Sequence, residues 1–147
     1  MDFLLSIFSR TRTEIDVWAI CSATGAGLSF LVGGFDPAVK ALLVLITADY
    51  ITGMLAAWKT GALSSSKGFR GLLRKMVIVL VVSLANMLDL GMSLNHMLRS
   101  MVICGYAGME GLSLLENADR AGYGEYIPGF LREKLAQLRE EKGVGKL

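Results

Sequence analysis

The sequence predicts an all-α integral membrane protein, with four transmembrane helices, a short interfacial helix before them and an amphipathic helix after them. Three observations predict it. Apolar residues, counted with glycine and without tyrosine, make up roughly 62% of the chain, against about 45–50% for a soluble domain. Charged residues make up 19% of 147, and a soluble domain this small has too much surface to hide so much hydrocarbon. The apolar residues also gather into four runs of bilayer-spanning length, which read as one domain over residues 1–147.

Taken in order, Met1 to Ser9 carries Phe3, Leu4, Ile7 and Phe8 on one helical face, followed by Arg10 and Arg12. That pattern suits a short helix lying on the membrane surface. Residues 17–35 hold no charge and are long enough to cross at 1.5 Å per residue. No cleavable signal is expected there, because no small-residue cleavage pattern follows. Residues 38–58 form a second run, broken only by Lys40 near its start and Asp49 at its middle. Asp36-Pro37 between the two reads as an N-cap with proline at the first helical position, so these spans form a hairpin.

Gly61 to Gly71, with Ser64, Ser65 and Ser66 in a row, reads as the main flexible loop. Residues 72–92 form the third span, and Arg74 and Lys75 near its entrance can extend their heads to the interface. Residues 97–115 form the fourth, the least apolar, with Arg99 at one end and Glu110 inside. A tail of residues 118–147 follows. Within it, Phe130 to Lys142 spaces Leu131, Leu135 and Leu138 among Arg and Glu, as an amphipathic helix does, and Gly143 stops it.

Thirteen of the fifteen basic residues precede the first span, lie between the second and third, or follow the fourth. Only Lys40 and Arg99 fall on the other side. The positive-inside rule therefore puts both termini and the central loop in the cytoplasm. Lys59, Lys67, Arg70 and Lys75 are expected at the membrane surface, each worth about 1 kcal/mol on anionic lipid. The net charge of +2 gives no reason to expect nucleic acid. Cys21 and Cys104 sit inside apolar runs and read as packing residues rather than a disulfide.

Enzyme signatures are missing. One histidine, His96, cannot form a metal cluster or a triad, and Gly25-Ala26-Gly27 lacks the strand and third glycine of a dinucleotide loop. Ser66-Lys67-Gly68 is not a phosphate loop. No catalytic residue, cofactor or metal is expected.

What remains is polar groups within the spans, where an ionised one costs about 2.5–3.5 kcal/mol on insertion scales. Asp49, Thr52, Gly53 and Ala56 share a face of the second span. Tyr106, Glu110, Ser113 and Asn117 form a stripe on the fourth, while Gly105 and Gly108 bare a neighbouring face to another helix. Asn86 and Asp89 add polar groups to the outer half of the third. The series Ala19, Ala23, Gly27 and Gly53, Ala57, Gly61 suit helix packing. Two readings of the polar groups stay open: hydrogen bonds between helices of a bundle, or the lining of a water-filled path made by several copies. With no lysine or arginine at matching depth, Asp49 and Glu110 are expected to be neutral in a dry interior and to ionise once water enters.

At these residues the sequence resembles the phage-lysis and toxin-secretion holin family. The likeness rests on Asp49-Tyr50-Ile51-Thr52-Gly53, then Ala57, Lys59, Gly61, Leu63-Ser64-Ser65, Gly68, Gly71 and Lys75. It continues through Glu110, Ser113, Leu115-Glu116-Asn117-Ala118 and Ile127-Pro128, so that it runs from Asp49 to about Leu138. One departure is Tyr123-Gly124-Glu125-Tyr126, which is longer than the family's short proline-containing turn. The resemblance implies a homo-oligomer of the cytoplasmic membrane that opens lesions at a set time. Those lesions release an endolysin in phage, and some clostridial relatives are associated with toxin export. The rival readings are a selective ion or proton channel, or a small transporter, using Asp49 and Glu110 as a relay, and a non-conducting scaffold. A transporter would be expected to show repeat symmetry and broken helices, which the sequence lacks.

Overall fold

Helix ends follow the sequence's own punctuation. The computed structural model describes the backbone of residues 2–134 and 137, with side chains from residue 14 onward. Four helices carry the chain: α1 (Asp2–Val32), α2 (Pro37–Lys59), α3 (Ser65–Met92) and α4 (Met97–Ala118). Asp36 caps α2 as expected, accepting the Val39 N–H at 2.9 Å, with Pro37 as the first helical residue. Beyond α4 come a π turn (Asp119–Tyr123), in which Gly122 takes a left-handed φ of 87°, and a 3-10 turn (Gly124–Tyr126). Residues 129–134 are helical, the start of the expected amphipathic helix, most of whose remainder lies outside the described residues.

Two expectations about boundaries are corrected. α1 is continuous from Asp2, so the surface helix of Met1 to Ser9 is not a separate element. The reason is local: no glycine or proline occurs before Gly25 to break it. α3 begins at Ser65, so residues assigned to the Gly61–Gly71 loop form its first turns. Gly68 and Gly71 are packing positions, since a Cβ at either would lie 3.8 Å from the Tyr50 side chain of α2.

Side-chain pairs define the topology. Asp36 at the head of α2 meets Arg99 near the head of α4, and Lys59 at the foot of α2 meets Ala121 just past α4. α2 and α4 thus run parallel and side by side for their whole length. α3 runs antiparallel to both, with Lys75 beside Asp49 and Glu110 and Asp89 beside Arg99. Val39, Leu42, Ile78, Val82 and Ile103 form the core between these three helices, joined by Val32 from the end of α1.

The outside is apolar. Trp18 is 72% exposed and Phe30, Leu80, Met101 and Met109 are exposed as well, a surface that only lipid or another chain can cover. Among the described residues three helices, α1 from Glu14, α2 and α3, are long and apolar enough to cross a membrane. α4, at 22 residues, has the length but not the apolar content. Cys21 and Cys104 are free thiols, as expected, but they are exposed rather than packed inside. The small residues Ala19, Ala23 and Gly27 also face outward, as do Gly105 and Gly108, where an added Cβ would meet nothing within 4 Å. Gly53, by contrast, is used within the chain: a Cβ there would lie 3.3 Å from Asn117 Nδ2. Ala57 beside it is half-buried.

α1 turns into α2 through Gly33 (φ 78°) and Gly34 (φ 97°). A Cβ on Gly33 would fall 2.2 Å from Asn86 Oδ1 and 2.9 Å from Arg99 Nε, whereas one on Gly34 would meet nothing. Gly34→Ala is therefore expected to lower stability by about 1–2 kcal/mol, the left-handed backbone penalty alone. Gly33→Ala should exceed it by a further 1–3 kcal/mol or so, since it also displaces buried polar groups. Unfolding of each variant in detergent micelles checks the order.

Candidate functional site

Two polar clusters lie inside the bundle, separated by the apolar layer of Ile78 and Val82. The larger joins α2, α3 and α4. Lys75 Nζ donates to Asp49 Oδ2 at 2.6 Å and also to Glu110 Oε2. Asp49 and Glu110 are 8% and 5% exposed and the Lys75 side chain 12%. On the far side of Asp49, Asn117 Nδ2 donates to Oδ1 at 2.9 Å and to the Asp49 carbonyl at 3.1 Å. The bare backbone of Gly53 lets Asn117 come this close, and Arg120 donates to the side-chain Oδ1 of Asn117. Thr52 returns its hydroxyl to the Ala48 carbonyl at 2.8 Å and lies 3.4 Å from Asn117 Nδ2.

This arrangement corrects the reading that no cation stands at the depth of Asp49 and Glu110. Lys75 is that cation, and its head group lies between helices rather than exposed on the outside of the bundle. Because α3 starts at Ser65, Lys75 sits ten residues into the helix, about 15 Å from its first residue. The premise of the expectation that both carboxyls stay neutral until water enters, an interior without a cation, is thereby removed. One ammonium between two carboxylates offsets part of their desolvation, and the Asn117 amide satisfies a further lone pair.

The smaller cluster closes the other end. Arg99, buried, donates from Nη1 to Asp36 Oδ2 at 2.8 Å, from Nε to the Val32 carbonyl at 2.5 Å and from Nη2 to the Gly34 carbonyl at 3.3 Å. Asn86 Nδ2 donates to the carbonyls of Leu31 (3.0 Å) and Phe30 (3.3 Å), while its buried Oδ1 meets no donor. Together they cap the carbonyl end of α1, where a cation is favoured. Asp89 accepts the N–H groups of Leu98 (3.0 Å) and Arg99 (2.8 Å), supplying from α3 the cap that His96 does not give α4. The Arg99 guanidinium beside Asp36, with the Val39 N–H second, holds the Asp36 carboxyl below the usual carboxylate range.

Of the polar residues singled out from the sequence, Asp49, Thr52, Glu110 and Asn117 come together. Asn86 and Asp89 belong to the other cluster. Tyr106 packs against the apolar core, and Ser113 is half-buried on α4. Lys59 lies 4.6 Å over the Tyr123 ring and donates to the Ala121 carbonyl, while Lys67 and Arg70 are exposed at the start of α3. Sequence reasoning missed Lys75 and Arg99 as partners. The signal that could have found them is the rule that intramembrane charges pair, applied across helices rather than along one.

Apolar helices with polar groups turned inward define a multi-pass membrane protein. The bacteriophage holin family matches residues 26–140, which include every residue of both clusters. The chain belongs to that family. A probable holin of Bacillus phage phi105 is 40% identical over 100 residues, covering 68% of this chain and 73% of that protein. An uncharacterized protein of Listeria innocua is 41% identical over 98 residues, 67% of this chain and 70% of the relative. One from Clostridium perfringens is 36% identical over 121 residues, 82% and 88% of the two chains. No solved structure matches the chain.

Lys75→Met strands two buried carboxylates and should lower stability by about 3–5 kcal/mol, whereas the neutral triple variant D49N/K75M/E110Q should recover most of that loss. Unfolding in detergent micelles measures both. Asp36 gives a pH dependence. Its folded carboxyl binds a proton less readily than the unfolded one, so its contribution is complete above the unfolded value of about 3.9 and fades as pH falls through the lower folded value. Asp36→Asn keeps the cap but removes the charge, so the gap in melting temperature between parent and variant should be constant above about pH 5 and close toward pH 2–3.

Proposed function

We propose that the chain acts as a holin: it accumulates as a homo-oligomer in the bacterial cytoplasmic membrane and opens lesions that release an endolysin or a secreted toxin. Family membership and the phage relative described as a probable holin support the class. The observation that carries the reading is the closed unit itself, an apolar exterior around polar groups already paired within one chain. Such a unit can collect in lipid without leaking, and it holds in reserve the groups that a water-filled lesion needs: Asp49, Thr52, Glu110 and Ser113. The outward small residues Ala19, Ala23, Gly27, Gly105 and Gly108 leave backbone accessible to neighbouring copies.

In this reading α4 is a fourth span. It lies beside α2 from Arg99 at Asp36 to Ala121 at Lys59, so a membrane crossed by α2 is crossed by α4 too. With Lys75 in the interior, twelve of the other fourteen basic residues remain on the side of both termini, which favours a cytoplasmic location for them.

Controlled expression in bacteria, following potassium loss together with escape of a folded cytoplasmic enzyme, tests the function. Abrupt release of both after a delay is the expected result, with the onset time changed in Asp49→Asn. Potassium loss with the enzyme retained would point instead to a selective channel using Asp49 and Glu110. Retention of both would overturn permeabilisation.

A further inference from the structure

We infer that α4 is a conditional span, carried across the membrane by charge pairs that α2 and α3 supply, with Lys75 as the residue that positions it. The inference rests on the four-span reading above. α4 is 22 residues long, yet it is not among the three helices whose apolar content suffices for crossing. Two of its charges, Arg99 and Glu110, are buried against the bundle rather than turned to lipid.

Among the described residues, every partner of those two charges precedes α4 in the chain. Glu110 bonds Lys75 of α3. Arg99 bonds Asp36 at the head of α2 and the carbonyls of Val32 and Gly34. The N–H groups of Leu98 and Arg99, in the first turn of α4, bond Asp89 of α3. When α4 emerges, its partners already stand on or beside helices long and apolar enough to cross a membrane. A carboxylate or guanidinium without a partner is strongly disfavoured in hydrocarbon, so a helix bearing both enters where the partners meet it.

Lys75 carries the larger share. Its ammonium serves Asp49 as well as Glu110, so its loss leaves two carboxyls facing each other in the interior. Loss of the Arg99 charge would leave Asp36 on a turn where its side chain is already 40% exposed and water can replace the guanidinium. The outcome is readable at the chain's end. If α4 crosses, the C-terminus returns to the side of the N-terminus; if it does not, the C-terminus stays opposite.

The test fuses alkaline phosphatase, active only outside the cytoplasm, or green fluorescent protein, fluorescent only inside, after Leu147 of the full chain. Signals are normalised to pulse-labelled full-length fusion in membranes collected before release begins, so that degradation of a mis-inserted variant does not hide it. The parent and Lys75→Arg should be fluorescent with little phosphatase activity. Lys75→Met should shift the ratio toward phosphatase by about tenfold or more, and D49N/K75M/E110Q should return it to the parent's side. A parent with its C-terminus outside overturns the four-span reading itself. Parent and Lys75→Met both inside overturn the conditional span alone. Lys75→Met and the triple variant both outside overturn charge pairing as its cause.

Discussion

An ammonium group held between two carboxylates in a hydrocarbon interior is the constraint on which the bundle depends. None of the three charges is tolerable there alone, and Lys75 can satisfy Asp49 and Glu110 together only where α2, α3 and α4 converge. One nitrogen atom therefore sets the register of three helices. Apolar packing of Ile78, Val82 and Ile103 fills the space between them, but aliphatic side chains in lipid favour no particular register, since the bilayer is as apolar as they are. The directional information comes from the polar groups.

Arg99 repeats the arrangement at the other end with different chemistry. Its guanidinium forks to a carboxylate and to two carbonyls, and so reaches the end of α1, the α1–α2 turn and the head of α2 at once. Asp89 and Asn86 complete it by capping α4 and α1 from α3. α1 otherwise presents its side chains outward, from Trp18 to Leu31. Among the described side chains its seat in the bundle is thus its last turn, where Val32 joins the apolar core and the carbonyls meet Asn86 and Arg99. The charged groups buried inside the bundle, Asp49, Glu110, Arg99 and Asp89, meet partners within the one chain.

Much of the fold was legible in the linear pattern. The ends of α2 at Pro37 and of α3 at Met92, and the start of α4 at Met97, fall where charge, proline and apolar runs put them, because these are local effects of capping and hydropathy. The misread segments share a cause. Gly68 and Gly71 have the composition of a loop, yet they lie in α3 and face Tyr50 of α2. Lys75 has the position of an interfacial lysine, yet it points inward because two carboxylates wait there. Asp49, Glu110 and Asn117 stood out as expensive intramembrane groups, while the partner that makes them tolerable lies 26 and 35 residues away from the two acids along the chain.

By itself, the sequence determined the class of protein, three apolar spans, the helix ends that fall at local punctuation and the family, since length, hydropathy and motif order are properties of a one-dimensional string. Only the tertiary structure decided which charges meet, which glycines are packed and which are bare, and that α4 lies against α2 throughout its length. Pairing is a property of distance in space. A lysine and a carboxylate separated by several helical turns or a loop carry no mark of each other until folding brings them within 3 Å, and from there their mutual need in a medium without water settles the rest.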